Sequence, residues 1–333
     1  MSKCLVPFNQ LYLHSSGDVY PCAFVQNNPE FVLGNIQKES LATIWKGAKA
    51  EELRTKHNGT LPGTCENNQS VFMCDKTSLR KHFHATDLKL RRLDIMLDSA
   101  CNLTCVMCTN IYDKNGGFKE KFFWENNDDV FASLNEVELV GGEPLISPYF
   151  YRIVDRVSAI NPDCEWRLTT NAHFPITENL VNSFGKMKLN TISVSLDSLK
   201  ADVFQQIRQR SEYKLVYNNI FTLKKLIPIL EINMVVQDSN FRELAAMTRW
   251  TQENGFKFHP ILLVYPDKHS ITKLPREEIR PWLIETMAAN EDLKDKELFF
   301  FIKKVMAQFG FNKDLEIVDA YLRQLKLLEK THE

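Results

Sequence analysis

The segment Cys101–Cys108, with the sequence CNLTCVMC, places three thiols in eight residues, separated by three and then two intervening positions. Three thiolates this close suit three irons of a four-iron, four-sulfur cube and leave the fourth iron open to a small molecule. A zinc site needs further ligands nearby, and no second pair follows Cys108. The segment therefore predicts an iron-sulfur centre with one open position, with zinc or unligated buried thiols as the alternatives.

Six β-rich stretches lie in the middle of the chain and alternate with amphipathic segments. Strands that alternate with helices pair in parallel through right-handed crossovers. The predicted fold is therefore α/β, a partial, TIM-like (β/α)6 barrel with a small N-terminal module and C-terminal helices. The predicted domains are residues 1–85, 86–265 and 266–333. The strand stretches are 91–97, 137–140, 166–170, 191–196, 230–236 and 256–264.

Polar residues stand where several of these strands end, and barrel function is found at the carboxyl ends of the strands. We expect these residues to converge on one mouth, although such residues are also ordinary turn formers and caps. Arg208 is predicted on the following helix, either exposed to solvent or paired with a ligand carboxylate. The strand-end residues are Cys101 after the first strand, Gly141, Gly142, Glu143 and Pro144 after the second, Thr170 and Asn171 after the third, and Ser195 and Asp197 after the fourth.

The Cys-x3-Cys-x2-Cys motif, followed about thirty residues later by Gly-Gly-Glu-Pro, resembles the radical S-adenosylmethionine (radical SAM) superfamily. The resemblance implies a [4Fe-4S] cluster held by Cys101, Cys105 and Cys108, and S-adenosyl-L-methionine (SAM) bound at the open iron. It also implies reductive cleavage of SAM to a 5'-deoxyadenosyl radical, with a donor such as flavodoxin or ferredoxin supplying the electron. The cofactor-binding residues that it suggests are Met107, Gly141, Gly142, Glu143, Pro144, Thr170, Asn171, Ser195, Asp197 and Arg208.

The N-terminal residues carry a second pattern. Cys4, the turn before Cys22, the segment Leu33–Ile36 and a helix over 41–54 with Trp45 resemble the auxiliary-cluster domain called SPASM, or its shorter form, twitch. With Cys65 and Cys74 the ligands number four, which implies one auxiliary [4Fe-4S] cluster. A four-cysteine zinc site is the alternative.

Composition limits the class of protein. The chain has 333 residues, 44% of them hydrophobic, and a formal net charge of −1, which disfavours bulk electrostatic binding of nucleic acid or membrane. It shows no export signal and no long apolar run, so we expect a cytoplasmic protein without a membrane partner.

Cys164 is expected in the core. A basic patch is expected to be either a solvated face or a grip for phosphate or carboxylate, and it comprises Lys76, Arg80, Lys81, Lys89, Arg91 and Arg92.

Three functions follow from these patterns. The first is a radical enzyme that modifies or oxidises a peptide or protein, as relatives with SPASM or twitch domains often do. The second is a radical enzyme acting on a nucleotide, sugar or other small molecule, because residues 195–199 resemble a strand end of enzymes that rearrange GTP. The third is a catalytically silent iron-sulfur protein, against which the two intact motifs argue.

Overall fold

The computed structural model describes residues 5–26, 28–56, 88–108, 117–119 and 121–330. Strands and helices alternate through the middle of the chain, and helices dominate its last third. The strands are β1 (Gln10–Leu13), β2 (Asp18–Tyr20), β3 (Gly34–Asn35), β4 (Arg92–Met96), β5 (Thr104–Cys105), β6 (Glu136–Val140), β7 (Glu165–Thr170), β8 (Lys188–Ser195), β9 (Arg208–Gln209), β10 (Ile229–Val236) and β11 (Lys257–Leu262).

The helices are α1 (Leu41–Lys46), α2 (Ala48–Lys56), α3 (Lys121–Glu125), α4 (Asp128–Ser133), α5 (Pro148–Ile160), α6 (Glu178–Lys186), α7 (Ala201–Ile207), α8 (Tyr213–Leu226), α9 (Leu244–Glu253), α10 (Arg276–Leu293), α11 (Lys296–Phe309) and α12 (Leu315–Lys330). No helix within these described ranges is both long and apolar enough to cross a membrane. All six predicted strands are present as β4, β6, β7, β8, β10 and β11, so the predicted α/β class is confirmed.

Helix α5 shows how the sequence specifies these elements. The Ser147 hydroxyl accepts a hydrogen bond from the Tyr149 N–H, and Pro148 occupies the first turn, where its missing N–H costs nothing. Buried side chains then recur at Phe150, Ile153, Val154 and Val157, the spacing of one helical face. This apolar face is the buried side of the helix.

The chain forms two compact units. The first comprises residues 1–102, 110–192 and 222–228, and the second comprises residues 103–109, 193–221 and 229–333. In the first unit the strand order is β7-β6-β4-β1-β2-β3, and β1, β4, β6 and β7 are parallel. The N-terminal residues therefore extend the same sheet as the central strands, because β1 pairs directly with β4.

Side chains of the first unit divide between two faces of this sheet. The face with Leu93, Ile95, Val137 and Leu139 is fully buried and apolar. The opposite face carries charged residues, including Arg92. Arg92 was predicted in a basic surface patch, and the structure corrects this prediction: the side chain is 9% exposed and pairs with three carboxylates. Cys164 is buried as predicted, and burial raises the pKa of its thiol to about 12.

In the second unit β10 and β11 are parallel neighbours, with β8 on the other side of β10. The helices α10, α11 and α12 pack on one another, and α11 also packs on β11. The C-terminal helices predicted from the sequence are thus present. A separate two-stranded ladder joins β5 to β9.

Candidate functional site

The cysteine loop begins where β4 ends, as the sequence predicts. Cys101 and Cys108 are exposed, Cys105 is partly exposed, and none of the three forms a disulfide. The chain passes from the first unit to the second between Asn102 and Leu103, so Cys101 has its surroundings in one unit and the other two cysteines in the other.

In the first unit Asn171 links the end of β7 to the cysteine loop. Its Nδ2 donates to the Cys101 Sγ at 3.5 Å and to the Asn102 Oδ1 at 2.9 Å. Its own Oδ1 accepts from the His173 N–H at 2.8 Å, and Asn102 Nδ2 donates to the His173 carbonyl. Asn171, which follows the third predicted strand, therefore lies beside the first cysteine, with an amide N–H directed at the sulfur.

Glu143 is buried, and its carboxylate already has three donors. It accepts from the Thr170 hydroxyl at 2.8 Å, from the Asn171 N–H at 2.6 Å and from the Leu145 N–H at 3.1 Å. Its backbone N–H donates to the Ala100 carbonyl at 2.9 Å. Glu143 thus ties the ends of β6 and β7 to the cysteine loop, and the structure gives it the geometry of a positioning residue.

The two glycines before Glu143 are required by close packing. Gly141 and Gly142 have φ of +78° and +49°, a region that favours glycine. A Cβ on Gly142 would lie 2.3 Å from the Ala100 carbonyl oxygen, and a Cβ on Gly141 would lie 2.2 Å from the Met96 Cγ. The absence of a Cβ at these two positions therefore lets the backbone pack closely on Met96 and on the protein's own cysteine loop.

In the second unit the ladder of β5 and β9 holds the rest of the loop. Cys105 is the register partner of Arg208, and the Val106 N–H donates to the Ile207 carbonyl at 2.9 Å. The Cys108 N–H donates to the Cys105 carbonyl at 3.1 Å. Arg208 was predicted on a helix, which is wrong, because α7 ends at Ile207 and Arg208 opens β9.

The Arg208 side chain is buried and placed by Asp197. Its Nε lies 2.7 Å from the Asp197 Oδ2, and its Nη1 lies 3.8 Å from the Cys105 Sγ. Asp197 has no exposed surface, and its Oδ1 accepts from the Val235 N–H at 2.8 Å. Asp197 therefore orients Arg208 from inside the protein, while Ser195, at the end of β8, stays partly exposed.

The residues present fit an iron-sulfur centre in their donor chemistry. Three thiols that form no disulfide lie within one loop, and an amide N–H and a guanidinium N–H approach two of the sulfurs, which are contacts that stabilise thiolates. Met107 is partly exposed between two of the cysteines, and Pro144 is buried. Over the part of the chain that the structure describes, no group of three His, Cys, Asp or Glu is arranged to hold a single metal ion.

Of the predicted auxiliary ligands, Cys22 alone falls within the described residues; Cys4, Cys65 and Cys74 lie outside them. Cys22 is 8% exposed and belongs to a buried cluster that contains Tyr12, Tyr20 and Met96. The ligand set itself stays a prediction.

Comparisons with known proteins agree with these motifs. A model of the radical SAM superfamily matches residues 97–251, and a model of the SPASM iron-sulfur cluster-binding domain matches residues 4–68. A Streptomyces coelicolor protein named GTP 3',8-cyclase is 25% identical over 63% of this chain and 59% of its own length. A Clostridium botulinum protein of the same name is 30% identical over 40% of this chain and 43% of its own. The matched segments thus span about half the length of these relatives.

Among solved structures, Streptococcus suis SuiB bound to SAM is similar, with 17% identity, a TM-score of 0.48, and coverage of 60% of this chain and 48% of that one. The segment matched by the radical SAM model includes the three loop cysteines, and the segment matched by the SPASM model includes Cys22. The two family-model matches imply a SAM-binding [4Fe-4S] cluster and an auxiliary iron-sulfur cluster. The family models therefore support a radical SAM enzyme with an auxiliary iron-sulfur domain.

Proposed function

We propose that this protein is a radical SAM enzyme that abstracts a hydrogen atom from a small molecule of the nucleotide class. Cys101, Cys105 and Cys108 would hold the SAM-binding cluster. When bound, that cluster supplies one electron that cleaves SAM to methionine and a 5'-deoxyadenosyl radical, which takes a hydrogen atom from the substrate and leaves a substrate radical.

The observation that carries the proposal is that, in each unit, a side-chain donor reaches a sulfur of the cysteine loop. Asn171, which directly follows β7, reaches Cys101, and Arg208, the first residue of β9, reaches Cys105. Both donors are themselves fixed, Asn171 through the carboxylate of Glu143 and Arg208 through the carboxylate of Asp197. Such fixed donors favour thiolates and orient the loop before a cofactor binds.

The strand-end residues would then act on SAM. Gly141 and Gly142 leave backbone polar groups close to the loop, which suits the ammonium of the methionine moiety. Thr170, Met107, Ser195 and Arg208 are further candidates from the sequence. Glu143 acts by positioning in this proposal, because its carboxylate already has three donors.

The nucleotide class is inferred from the relatives, and it replaces the peptide that was the first expectation from the sequence. The relatives named GTP 3',8-cyclase support a small-molecule substrate, at 25–30% identity and partial coverage. An electron donor such as a flavodoxin or ferredoxin belongs to the same proposal.

The test uses anaerobically reconstituted protein with SAM and a reductant. We expect slow formation of 5'-deoxyadenosine without substrate, its loss when Cys101, Cys105 and Cys108 are replaced by Ala, and its retention in the matched control Cys164→Ala. Product that survives the triple replacement contradicts the proposal. Faster 5'-deoxyadenosine formation with GTP would support the nucleotide class, and no response to any ribonucleotide would refute it.

A further inference from the structure

A charged layer lies on the polar face of the first unit's sheet, and the site described above does not use it. It comprises Gln10 on β1, Arg92 and Asp94 on β4, and Glu136 and Glu138 on β6. Arg92 Nε donates to the Asp94 Oδ1 at 2.7 Å, and its two terminal nitrogens contact Glu136 and Glu138. One cation thus faces three carboxylates.

The layer is largely withdrawn from water, since the four charged side chains are only 9–18% exposed. Arg167 is the register partner of Glu138 on β7, and it makes no ion pair with any described residue. A buried excess of negative charge is unfavourable unless it is paired. Consistent with that excess, burial together with Glu138 and Glu136 raises the pKa of Asp94 to about 7 despite Arg92.

Gln10 gives independent evidence for an absent hydrogen-bond donor. Its Nε2 donates to the Asp94 Oδ2 at 2.7 Å. The side chain is 2% exposed, and its Oε1 has no hydrogen-bond partner in the described structure. Buried acceptors are rarely left unsatisfied in folded proteins. A ligand N–H would supply what this oxygen lacks.

The position of the layer suits a substrate anchor. Asp94 pairs in register with Glu138, and Met96 pairs with Val140. Asp94 and Glu138 therefore lie two residues before the ends of their strands, on the same face as the last residues. Two residues along a parallel strand correspond to about 7 Å. The strand ends at that distance continue into Gly141 and the cysteine loop, where the proposed chemistry takes place.

We propose that this layer anchors the substrate through a guanidine-type donor group. Such a group presents two or more N–H groups on one edge, as a guanidinium or the donor edge of guanine does. Glu138, the most exposed carboxylate, accepts one N–H, and Asp94 and the Gln10 Oε1 accept the others. The inference deepens the proposed function, on which it rests, by naming the part of the substrate that is held. Phosphate groups would be excluded from this layer by its negative charge.

The experiment measures binding of agmatine, which carries a guanidinium, to the reconstituted holoenzyme by calorimetry. We expect saturable binding to the native protein and about tenfold weaker binding to Glu138→Gln, the loss that one charge-assisted hydrogen bond represents. Glu138→Asp should retain most of the affinity, because it keeps the carboxylate. The matched control is Glu125→Gln, which removes an exposed carboxylate paired with Lys121.

Three results overturn the inference: no saturable binding, equal affinity of Glu138→Gln and the native protein, or the same loss in Glu125→Gln. Thermal unfolding of each variant shows whether it is folded, and retention by Glu138→Asp separates recognition from a structural effect of the site. Failure here is distinguishable from failure of the proposed function, because 5'-deoxyadenosine formation without substrate does not require the anchor. A protein that cleaves SAM but does not bind agmatine keeps the radical chemistry and loses the anchor.

Discussion

The Nη1 of Arg208 lies 3.8 Å from the Sγ of Cys105, and the two residues face each other across the short ladder of β5 and β9. The guanidinium is held on its other side by the fully buried Asp197. Hydrogen bonds and positive charge at the ligand sulfurs of an iron-sulfur cluster favour its reduced, more negative state. With Cys105 as a cluster ligand, as proposed above, this geometry would make Arg208 a determinant of the cluster potential as well as a candidate contact to SAM.

Replacing Arg208 with Gln should therefore lower the midpoint potential of the SAM-binding cluster. The expected shift is about 40 mV, which corresponds to a net hydrogen bond of about 1 kcal/mol in a one-electron couple. Redox titration followed by electron paramagnetic resonance measures it. Arg242→Gln, which removes an exposed arginine paired with Glu278, serves as the control. An unchanged potential in Arg208→Gln would show that the contact has no electronic effect.

Asn171 offers a comparison of two substitutions at one sulfur. Asn171→Ala removes the N–H that approaches the Cys101 Sγ, whereas Asn171→Asp places a carboxylate beside the thiolate. Like charges at this distance repel, so the aspartate variant should retain less iron than the alanine variant after gel filtration. Iron analysis of both, with the exposed Asn126→Asp as control, tests this. Equal iron retention in the two variants would contradict an electrostatic role for position 171.

The sequence predicted much of this arrangement because strand order and strand ends follow from local patterns. Runs of β-branched residues located β6, β8 and β10, and the motif placed Cys101 after β4. The parallel pairing of β1 with β4 was missed, because Gln10–Leu13 is short and its partner lies far away in sequence. Nonlocal pairing of short strands leaves no periodic signal in one sequence.

For a related reason, Arg92 was expected on the surface and Arg208 was left open between an exposed and a paired position. Exposure is the ordinary state of arginine, so a single sequence favours a surface position unless the counter-charges are visible. The partners of Arg92 include Glu136 and Glu138, which stand on another strand, and that of Arg208 is Asp197, before α7. A signal was nevertheless present: polar residues at alternate positions of β4 and β6 indicate one polar face.

Gly142→Ala should destabilise the protein. The substitution imposes a Cβ at φ +49° and within 2.3 Å of the Ala100 carbonyl, which belongs to the cysteine loop. We expect a loss of roughly 1–3 kcal/mol in the free energy of unfolding, the usual cost of such backbone strain. Urea unfolding measures it, with Gly185→Ala as the control, since a Cβ there meets nothing within 4 Å. A loss no greater than that of Gly185→Ala would mean that the loop relaxes freely.

Asp94 should make stability depend on pH. Its folded-state pKa of about 7 lies above the ordinary value of 3.8, mainly because burial disfavours the charged form. Between these values the folded state holds a proton that the unfolded state releases, so this contribution to the free energy of unfolding falls as the pH rises from about 4 to 7. Asp94→Asn should remove that slope. Urea unfolding at several pH values compares the two proteins, and parallel curves would contradict the raised pKa.

Cys22 provides the test of the auxiliary cluster within the described residues. It is buried beside Tyr12 and Met96, and it lies in the segment matched by the SPASM model. If it is a cluster ligand, Cys22→Ala should reduce the iron of the reconstituted protein from about eight to about four per chain, because a [4Fe-4S] cluster needs its thiolate ligands. Cys164→Ala, which removes another buried thiol, should leave the iron content unchanged.

If Cys22→Ala still forms 5'-deoxyadenosine but accumulates a substrate radical, the auxiliary cluster accepts the electron that the substrate loses. If 5'-deoxyadenosine formation and folding stability fall together, the cluster is structural. Full iron content in Cys22→Ala would refute its assignment as a ligand.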